Sequence, residues 1–324
     1  MNVKRRMLLV GLGLSVLGTT PVVHANEWPT RSIRLIVPFP PGGSTDILGR
    51  ATAEYLQKRL NVPVVVENLP GATGTIGTAA AARAAPDGYT LLMGSIGTVV
   101  TNHFVYEGLS FGLDSFQPII TVAETPNVVM VRPTLEVNNV SELIEYMKAN
   151  PGKLNHGSPG LASSSHVSAE MFKLRAGVDA QHVPYKGSSP MLVDLIGGTL
   201  DFTIDNISSS LELIKANKLK ALAVTSRTRS PLLPELPTVI ESGMDDYVMA
   251  PWFCVMAPAS TPDPIVRKLN VILNDMLADS SVSKVLQSYG AQPVGGTPED
   301  LQQLMAREAE TIRSLSNVVD FRSS

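Results

Sequence analysis

Between Ile33 and Asp46 the chain places a short apolar run, then three prolines and two glycines, then Ser44, Thr45 and Asp46. Few architectures can use that text. Ile33, Leu35, Ile36 and Val37 read as a buried strand. Pro38, Pro40, Pro41, Gly42 and Gly43 break both strand and helix. Beyond them Ile47, Leu48, Ala51, Tyr55, Leu56 and Leu60 recur at helical spacing. The unit is therefore strand, tight Gly-Gly loop, helix N-terminus. Such a junction aims unpaired backbone N–H groups and the positive end of a helix dipole at whatever lies above the loop, which favours an anion. An ordinary strand-to-helix turn capped by Ser44, Thr45 or Asp46 is the plain alternative.

The same grammar recurs. Val62–Val66 reads as a strand ending in the Gly71–Gly74 turn, with a helix over Ile76–Ala85. Thr90–Met93 is a strand followed by small residues from Gly94 to Thr98. Three consecutive strand–loop–helix units predict a parallel sheet with helices on its faces and loops that converge at the carboxyl ends of the strands. Near Phe116–Val131 the runs Pro118–Ala123 and Asn127–Val131 carry the chain into a second unit. There Ser141 is expected to cap a helix to Lys148. Leu154–His166 repeats the strand, Gly/Ser/Pro loop and helix start. His182–Pro190 precedes a helix ended by Gly197 and Gly198, and Leu200–Ile204 and Leu219–Val224 are further strands. From Thr225 a loop-rich stretch leads back to the first unit, where Trp252–Ala257 is a strand and residues 265–277 and 298–315 are amphipathic helices. The expected class is α/β, in two domains, each with a central, mostly parallel sheet flanked by helices. The boundaries fall at 26–124 plus 226–324 for the first domain and 125–225 for the second.

Lys4, Arg5 and Arg6 precede an apolar stretch from Met7 to Gly18, and Val23-His24-Ala25 resembles a small-x-small cleavage site. The stretch is too short for a span, which needs about 20 residues. Residues 1–25 read as a cleavable secretory leader, with an uncleaved anchor as the alternative. Without it the chain keeps 23 of its 26 basic residues and all 29 acidic ones, a formal charge of −6. That balance argues against nucleic acid or an anionic membrane as partner. The single cysteine, Cys254, has no partner for an internal disulfide, and its apolar neighbours mark it as a small core residue rather than a catalytic thiol.

Enzymatic chemistry is hard to assemble. No G-x-S-x-G elbow and no G-x-x-x-x-G-K-[ST] phosphate loop occur. His103, His156, His166 and His182 lack metal-ligand spacing and read as surface or hydrogen-bonding residues. Asp46 suits a first-turn cap; Asp205 follows a strand and either points into a cleft or closes a turn; Lys186 is either an anion partner or a solvated lysine. No nucleophile, base and orienting group come together, so catalytic residues, cofactors and metals are not expected. Two loop–helix junctions, Pro38–Asp46 and Ser158–His166, one per domain, are instead suited to grip an anion across a hinge.

The order of short segments resembles the Bug-type solute-binding receptors of tripartite tricarboxylate transporters. Those segments are Trp28-Pro29 ahead of Ile33, Pro38–Asp46, Glu67–Ala72, Pro86–Leu91, Gly157–Gly160, His182–Gly187, Asp194–Asp201, Leu222–Ser226 and Leu236–Thr238. The resemblance covers the chain beyond the leader. It implies a Venus-flytrap (type II periplasmic-binding-protein) fold with two crossover segments, a periplasmic location and no catalysis. It also implies a small mono-, di- or tricarboxylate ligand held largely by backbone groups, and a membrane permease as partner of a monomeric receptor. Carried over by position, the resemblance puts ligand contacts at Phe39, Pro40, Gly42, Gly43, Asp46, Ser95 and Thr98, and at Gly160, Ser163, Ser164, His166, Lys186 and Asp205. One departure from the pattern is Asn102-His103, where Asn-Pro is expected at the cleft rim. A carboxylate sensor docking on a signalling partner is the alternative use of such a scaffold, and an enzyme built on it a further one.

Overall fold

Ile33, Leu35, Ile36 and Val37 are all fully buried. A strand apolar on both faces needs cover on both sides. The structure, a computed structural model, describes residues 28–245, 247–317 and 321; the leader reading for residues 1–25 lies outside them. In chain order the elements are β1 (Ile33–Val37), α1 (Ser44–Leu60), β2 (Val64–Asn68), α2 (Thr75–Ala82), β3 (Thr90–Ser95), α3 (Asn102–Val105), β4 (Phe116–Glu124) and β5 (Asn127–Val131). They continue with α4 (Val140–Ala149), β6 (Asn155–Ser158), α5 (Ser164–Ala176), β7 (Gln181–Pro184), α6 (Ser188–Gly197), β8 (Phe202–Asn206), α7 (Ile207–Lys215) and β9 (Lys220–Val224). The last are β10 (Trp252–Pro258), α8 (Asp263–Ala278), α9 (Ser280–Ser288), β11 (Gln292–Gly295) and α10 (Pro298–Ser316).

Among the described residues the strands form a six-stranded sheet, β11-β4-β10-β3-β1-β2, and a five-stranded sheet, β7-β6-β8-β5-β9. Leu48 and Leu56 of α1 and Ile265, Leu269 and Leu273 of α8 meet Leu35 and Val37 on one face of the first sheet. Leu301 and Met305 of α10 meet Ile36, Leu92 and Cys254 on the other. Cys254 is thus the core residue its neighbours predict, and burial pushes its thiol pKa up.

The expectation of mostly parallel sheets needs refinement, for both are mixed. The consecutive strand–helix units pair in parallel, β2-β1-β3 in the first sheet and β7-β6-β8 in the second. The next strand in each runs antiparallel to its neighbours: β10 between β3 and β4, β5 between β8 and β9. Each is the first strand after a crossing from the other half. It enters its sheet from the hinge side and therefore runs against the strands that end there. The two halves share one plan, with β11 added at the first sheet's edge.

The crossings at residues 125–126 and 225–251 meet in a buried polar knot. The Thr125 hydroxyl donates to Asn206 Oδ1 at 3.3 Å, Asn206 Nδ2 donates to Asn127 Oδ1, and Asn127 Nδ2 donates to Ser168 Oγ at 2.7 Å. The Asn127 amide donates to Thr225 Oγ1 at 2.8 Å, and Thr125 N donates to Pro251 O at 2.8 Å. Helix α10 is a third connection, unforeseen from sequence: Leu301 and Met305 pack in the first half, Ile312 in the second beside Phe321.

Two smaller differences have local causes. Asn139, not Ser141, caps α4, accepting from Glu142 N at 2.8 Å. The strand β11 escapes a sequence reading because it is four residues long and contains Pro293, tolerated at a sheet edge.

Asn127→Ala should strip the knot of two buried hydrogen bonds and leave Ser168 and Asn206 without their partner. Urea unfolding is expected to show a loss of about 3 kcal/mol.

Candidate functional site

The loop after β1 is held from behind by Asp46. Its carboxylate, buried in the first turn of α1, accepts from Gly42 N, Arg50 Nε and Asn68 Nδ2, each at 2.9 Å. Asn68 also donates to Phe39 O at 3.0 Å. Burial alone would raise the Asp46 pKa, but Arg50, the Gly42 amide and Asn68 together hold it below the ordinary value. Gly42 takes φ +88°, the left-handed region that favours glycine. Gly43 stands at the N-cap, so no side chain caps α1. Among the described residues nothing in the chain accepts from the amides of Ser44 and Thr45. Ser95 and Thr98 lie at the end of β3. The Thr98 hydroxyl is spent within that turn, accepting from Ser95 N at 2.9 Å and donating to Ser95 O at 3.1 Å.

In the second half, Ser158 and His166 govern the loop between β6 and α5. The Ser158 hydroxyl accepts from Gly160 N at 3.2 Å and donates to Gly160 O at 2.9 Å. Ala162 N donates to His166 Nδ1 at 3.2 Å. Ser163 caps α5, accepting from His166 N. Ser164 is half-buried, and among the described residues its hydroxyl and the amides of Ser164 and Ser165 find no partner in the chain. Asp205 is buried, accepting from the hydroxyls of Ser165 and Ser209, and so ties the start of α5 to the start of α7. Lys186 is exposed, beside the loop through the Gly187 N to Pro159 O bond of 3.1 Å.

The halves meet along one seam. The hydroxyls of Ser44 and Ser208 hydrogen-bond across it, joining the starts of α1 and α7, neither of which has a side-chain cap. A methyl on Gly97 would sit 3.5 Å from Ala162 O, and one on Gly160 would sit 3.1 Å from Thr73 Oγ1. Thr73 in turn shares a 2.9 Å hydrogen bond with the Tyr106 hydroxyl. Three helix N-termini thus open onto the seam, and the loops 39–43, 95–98 and 158–165 converge there.

Sequence reasoning named several residues whose hydrogen bonds are already committed within the chain. Asp46 and Asp205 face their own loops and hydroxyls, Gly160 turns both backbone polar groups to Ser158, and His166 is buried beneath the loop. Residues it did not single out are Asn68, Thr73, Tyr106 and Ser208, while Ser158 entered only as the start of the Ser158–His166 junction. The repeated serines at 208–210 after β8 offered a signal for Ser208. For Thr73 the signal was the Gly71–Gly74 turn, a run of four positive-φ residues, two of them not glycine. His103, the residue at the departure, packs edge-on against Phe111 at 5.2 Å.

Beneath the second loop lies a stack of three buried imidazoles. The rings of His166 and His182 are 3.9 Å apart and nearly parallel, and His156 lies 4.8 Å from His182. His182 Nε2 is 2.7 Å from Ser158 Oγ, and His156 Nε2 is 3.1 Å from Glu170 Oε1. Burial lowers all three pKa values, to about 4 for His166 and about 2 for His182. Glu170, despite a burial effect of opposite sign, is held down to about 2 by the His156 N–H and by Lys173, 2.9 Å away. Among the described residues no group of three histidine, cysteine or acidic side chains is arranged to hold a metal ion.

The model of the tripartite tricarboxylate transporter family receptor matches residues 48–319. Protein BugT of Bordetella pertussis is 38% identical over 316 residues, 96% of each chain. The solved structure of R. palustris Rpa4515 with adipate is 39% identical, with a TM-score of 0.86 over 90% of this chain and 97% of that one. That of MatC from Rhodopseudomonas palustris with bound malate is 31% identical, with a TM-score of 0.82 over 89% and 99%. The chain belongs to the tripartite tricarboxylate transporter receptor family. It has the two-domain α/β fold of its periplasmic solute-binding proteins, which are receptors rather than enzymes.

The histidine stack sets a pH dependence. Above about pH 6.5 the imidazoles are neutral in both folded and unfolded chains. As the pH falls below that value the unfolded chain binds protons that the folded His166 and His182 refuse, so stability is lost. Urea unfolding at pH 7 and pH 5 should differ by on the order of 3 kcal/mol. A flat profile would contradict the burial of the stack.

Proposed function

We propose that this chain is a periplasmic receptor that captures a small carboxylate between its two domains and delivers it to a permease of the tripartite tricarboxylate type. One observation carries the reading: the N-termini of α1, α5 and α7 open onto one seam, and the amides at the starts of α1 and α5 have no acceptor within the described residues. Each such end carries about half a positive charge. A carboxylate oxygen placed there accepts charge-assisted hydrogen bonds, worth about 1.5–3 kcal/mol each. No basic side chain needs to take part, although Lys186 stands at the rim.

The family supports the transport role, and relatives with adipate and malate support a dicarboxylate as the ligand class. On this reading domain 1 comprises 26–124 and 226–324 and domain 2 comprises 125–225, with the last turns of α10 leaning on domain 2. Ligand selects the closed arrangement because only there do both domains touch it. Ser164 and the amides around Gly43 contact the carboxylate. Asp46 and Asp205 act from behind, Asp46 by fixing the Gly42 turn and Asp205 by joining α5 to α7. The monomer suffices, because both half-sites come from one chain. Residues 1–25 direct export and are removed.

Thermal unfolding against a panel containing adipate, malate, citrate and acetate tests the reading. A ligand at 100 times its Kd should add about 2.7 kcal/mol, roughly 5 °C for a chain of this size. Ser164→Ala and Asp46→Ala should each weaken binding at least about tenfold, equivalent to roughly 1.4 kcal/mol, in proteins that remain folded. Unchanged calorimetric affinity in both variants would overturn this placement of the site.

A further inference from the structure

The polarity of the loop between β6 and α5 is a choice, and the histidines beneath it make that choice. The Ser158 hydroxyl has one proton and two lone pairs, and it faces three groups: Gly160 O at 2.9 Å, Gly160 N at 3.2 Å and His182 Nε2 at 2.7 Å. One assignment satisfies all three. Ser158 donates to the Gly160 carbonyl and accepts from both the Gly160 amide and a protonated His182 Nε2. The opposite tautomer would cost the Gly160 carbonyl the Ser158 hydroxyl, leaving it Ser163 N at 3.2 Å, and would bury an unpaired N–H at His182 Nδ1, an atom without a partner in the described structure. His166 is fixed as well, because an Nδ1 that accepts the Ala162 amide is deprotonated. With Gly160 and Ala162 N–H turned inward, the Ala162 carbonyl lies towards Gly97 of the other domain, and the next amides, Ser164 and Ser165, open on the seam. Ala162 at φ +59° and Gly160 at φ +148° hold this course at a conformational cost that the two imidazoles offset.

We propose that His166 and His182 are positioning residues for the carboxylate half-site at α5, holding the Ser158–Ser163 loop in the one polarity that presents the Ser164 and Ser165 amides to the ligand. Neither ring touches the ligand. Burial holds both neutral at neutral pH, as the acceptor role of His166 Nδ1 requires. Their stacking, flanked by Phe202 on one side and Phe321 on the other, fixes the plane in which those nitrogens act. The inference rests on the receptor reading, and its test is built to separate the two.

Four full-length variants are compared with the wild type. His166→Leu and His182→Leu keep volume and remove the polar atom. His166→Asn returns an acceptor at the Nδ1 position, and His182→Gln returns a donor at the Nε2 position. Adipate and malate are the probes, with Kd from calorimetry. Hydrogen-exchange protection of the Gly160 and Ala162 amides is measured without ligand. The leucine variants should bind the responding probe at least about tenfold more weakly, and protection should fall at least about tenfold at Ala162 in His166→Leu and at Gly160 in His182→Leu. The Asn and Gln variants should return each quantity to within about threefold of wild type. Leucine variants with wild-type protection overturn the proposal. So does failure of Asn and Gln to restore affinity once protection is restored, which would make the rings ligand contacts. If neither probe binds the wild type while the exchange pattern holds, the choice of ligand fails and the loop assignment stands.

Discussion

In this structure helix ends of the same polarity come together. The first residues of α1 and α7 meet through Ser44 and Ser208, with the start of α5 nearby, and each end carries the positive pole of a helix dipole. Left alone, such ends repel and their amides lose water without gaining an acceptor. An anion between them turns repulsion into attraction. Closure and anion binding are therefore one event in the proposed receptor, and the other parts can be understood by how they serve it. Asp46 and Asp205 brace the helix starts from behind. The carboxylates thus organise the donors instead of competing with the ligand for them.

The hinge works by contrast with the seam. In the knot at the crossings the side chains of Thr125, Asn127, Asn206 and Thr225 are all partnered: Asn127 alone joins Asn206, Ser168 and Thr225. A satisfied buried network is specific in geometry, and it fixes where the two domains join without stiffening the cleft mouth. Helix α10, with one end in each core, limits the directions in which the halves can part. At the seam the amides at the starts of α1 and α5 have no acceptor among the described residues, as suits the opening that the proposed receptor requires.

Much of the plan could be read from sequence because it rests on period and punctuation. The buried run at Ile33–Val37, the Gly-Gly loop and the amphipathic face of α1 announce themselves locally, and so does their repeat at Leu154–His166. What stayed hidden is non-local. That β10 inserts beside β3 depends on pairing across about half the chain. That His166 serves Ala162 from below depends on stacking with His182, a ring carried by strand β7. The residues alone assigned Asp46 to the first turn of α1 and left Asp205 open between a cleft and a turn, because a carboxylate at the end of a strand looks the same in sequence in either place; in the structure both accept from their own loops and hydroxyls. Local text cannot say which partner reaches a side chain first.

The insertion of β10 has a consequence for how the chain acquires its structure. The second sheet is built from Asn127–Val224 alone, a continuous stretch. The first is not. Its strands β3 and β4 are neighbours only through β10, which the chain supplies at Trp252–Pro258. A nascent chain extended from its N-terminus therefore carries β1 to β4 for well over a hundred residues before their sheet can be joined. Over that interval the edges of β3 and β4 lie unpaired, the kind of exposure that invites misassociation. The second sheet, though it lies later in the sequence than β1 to β4, can therefore pair all its strands before the first, which waits on β10.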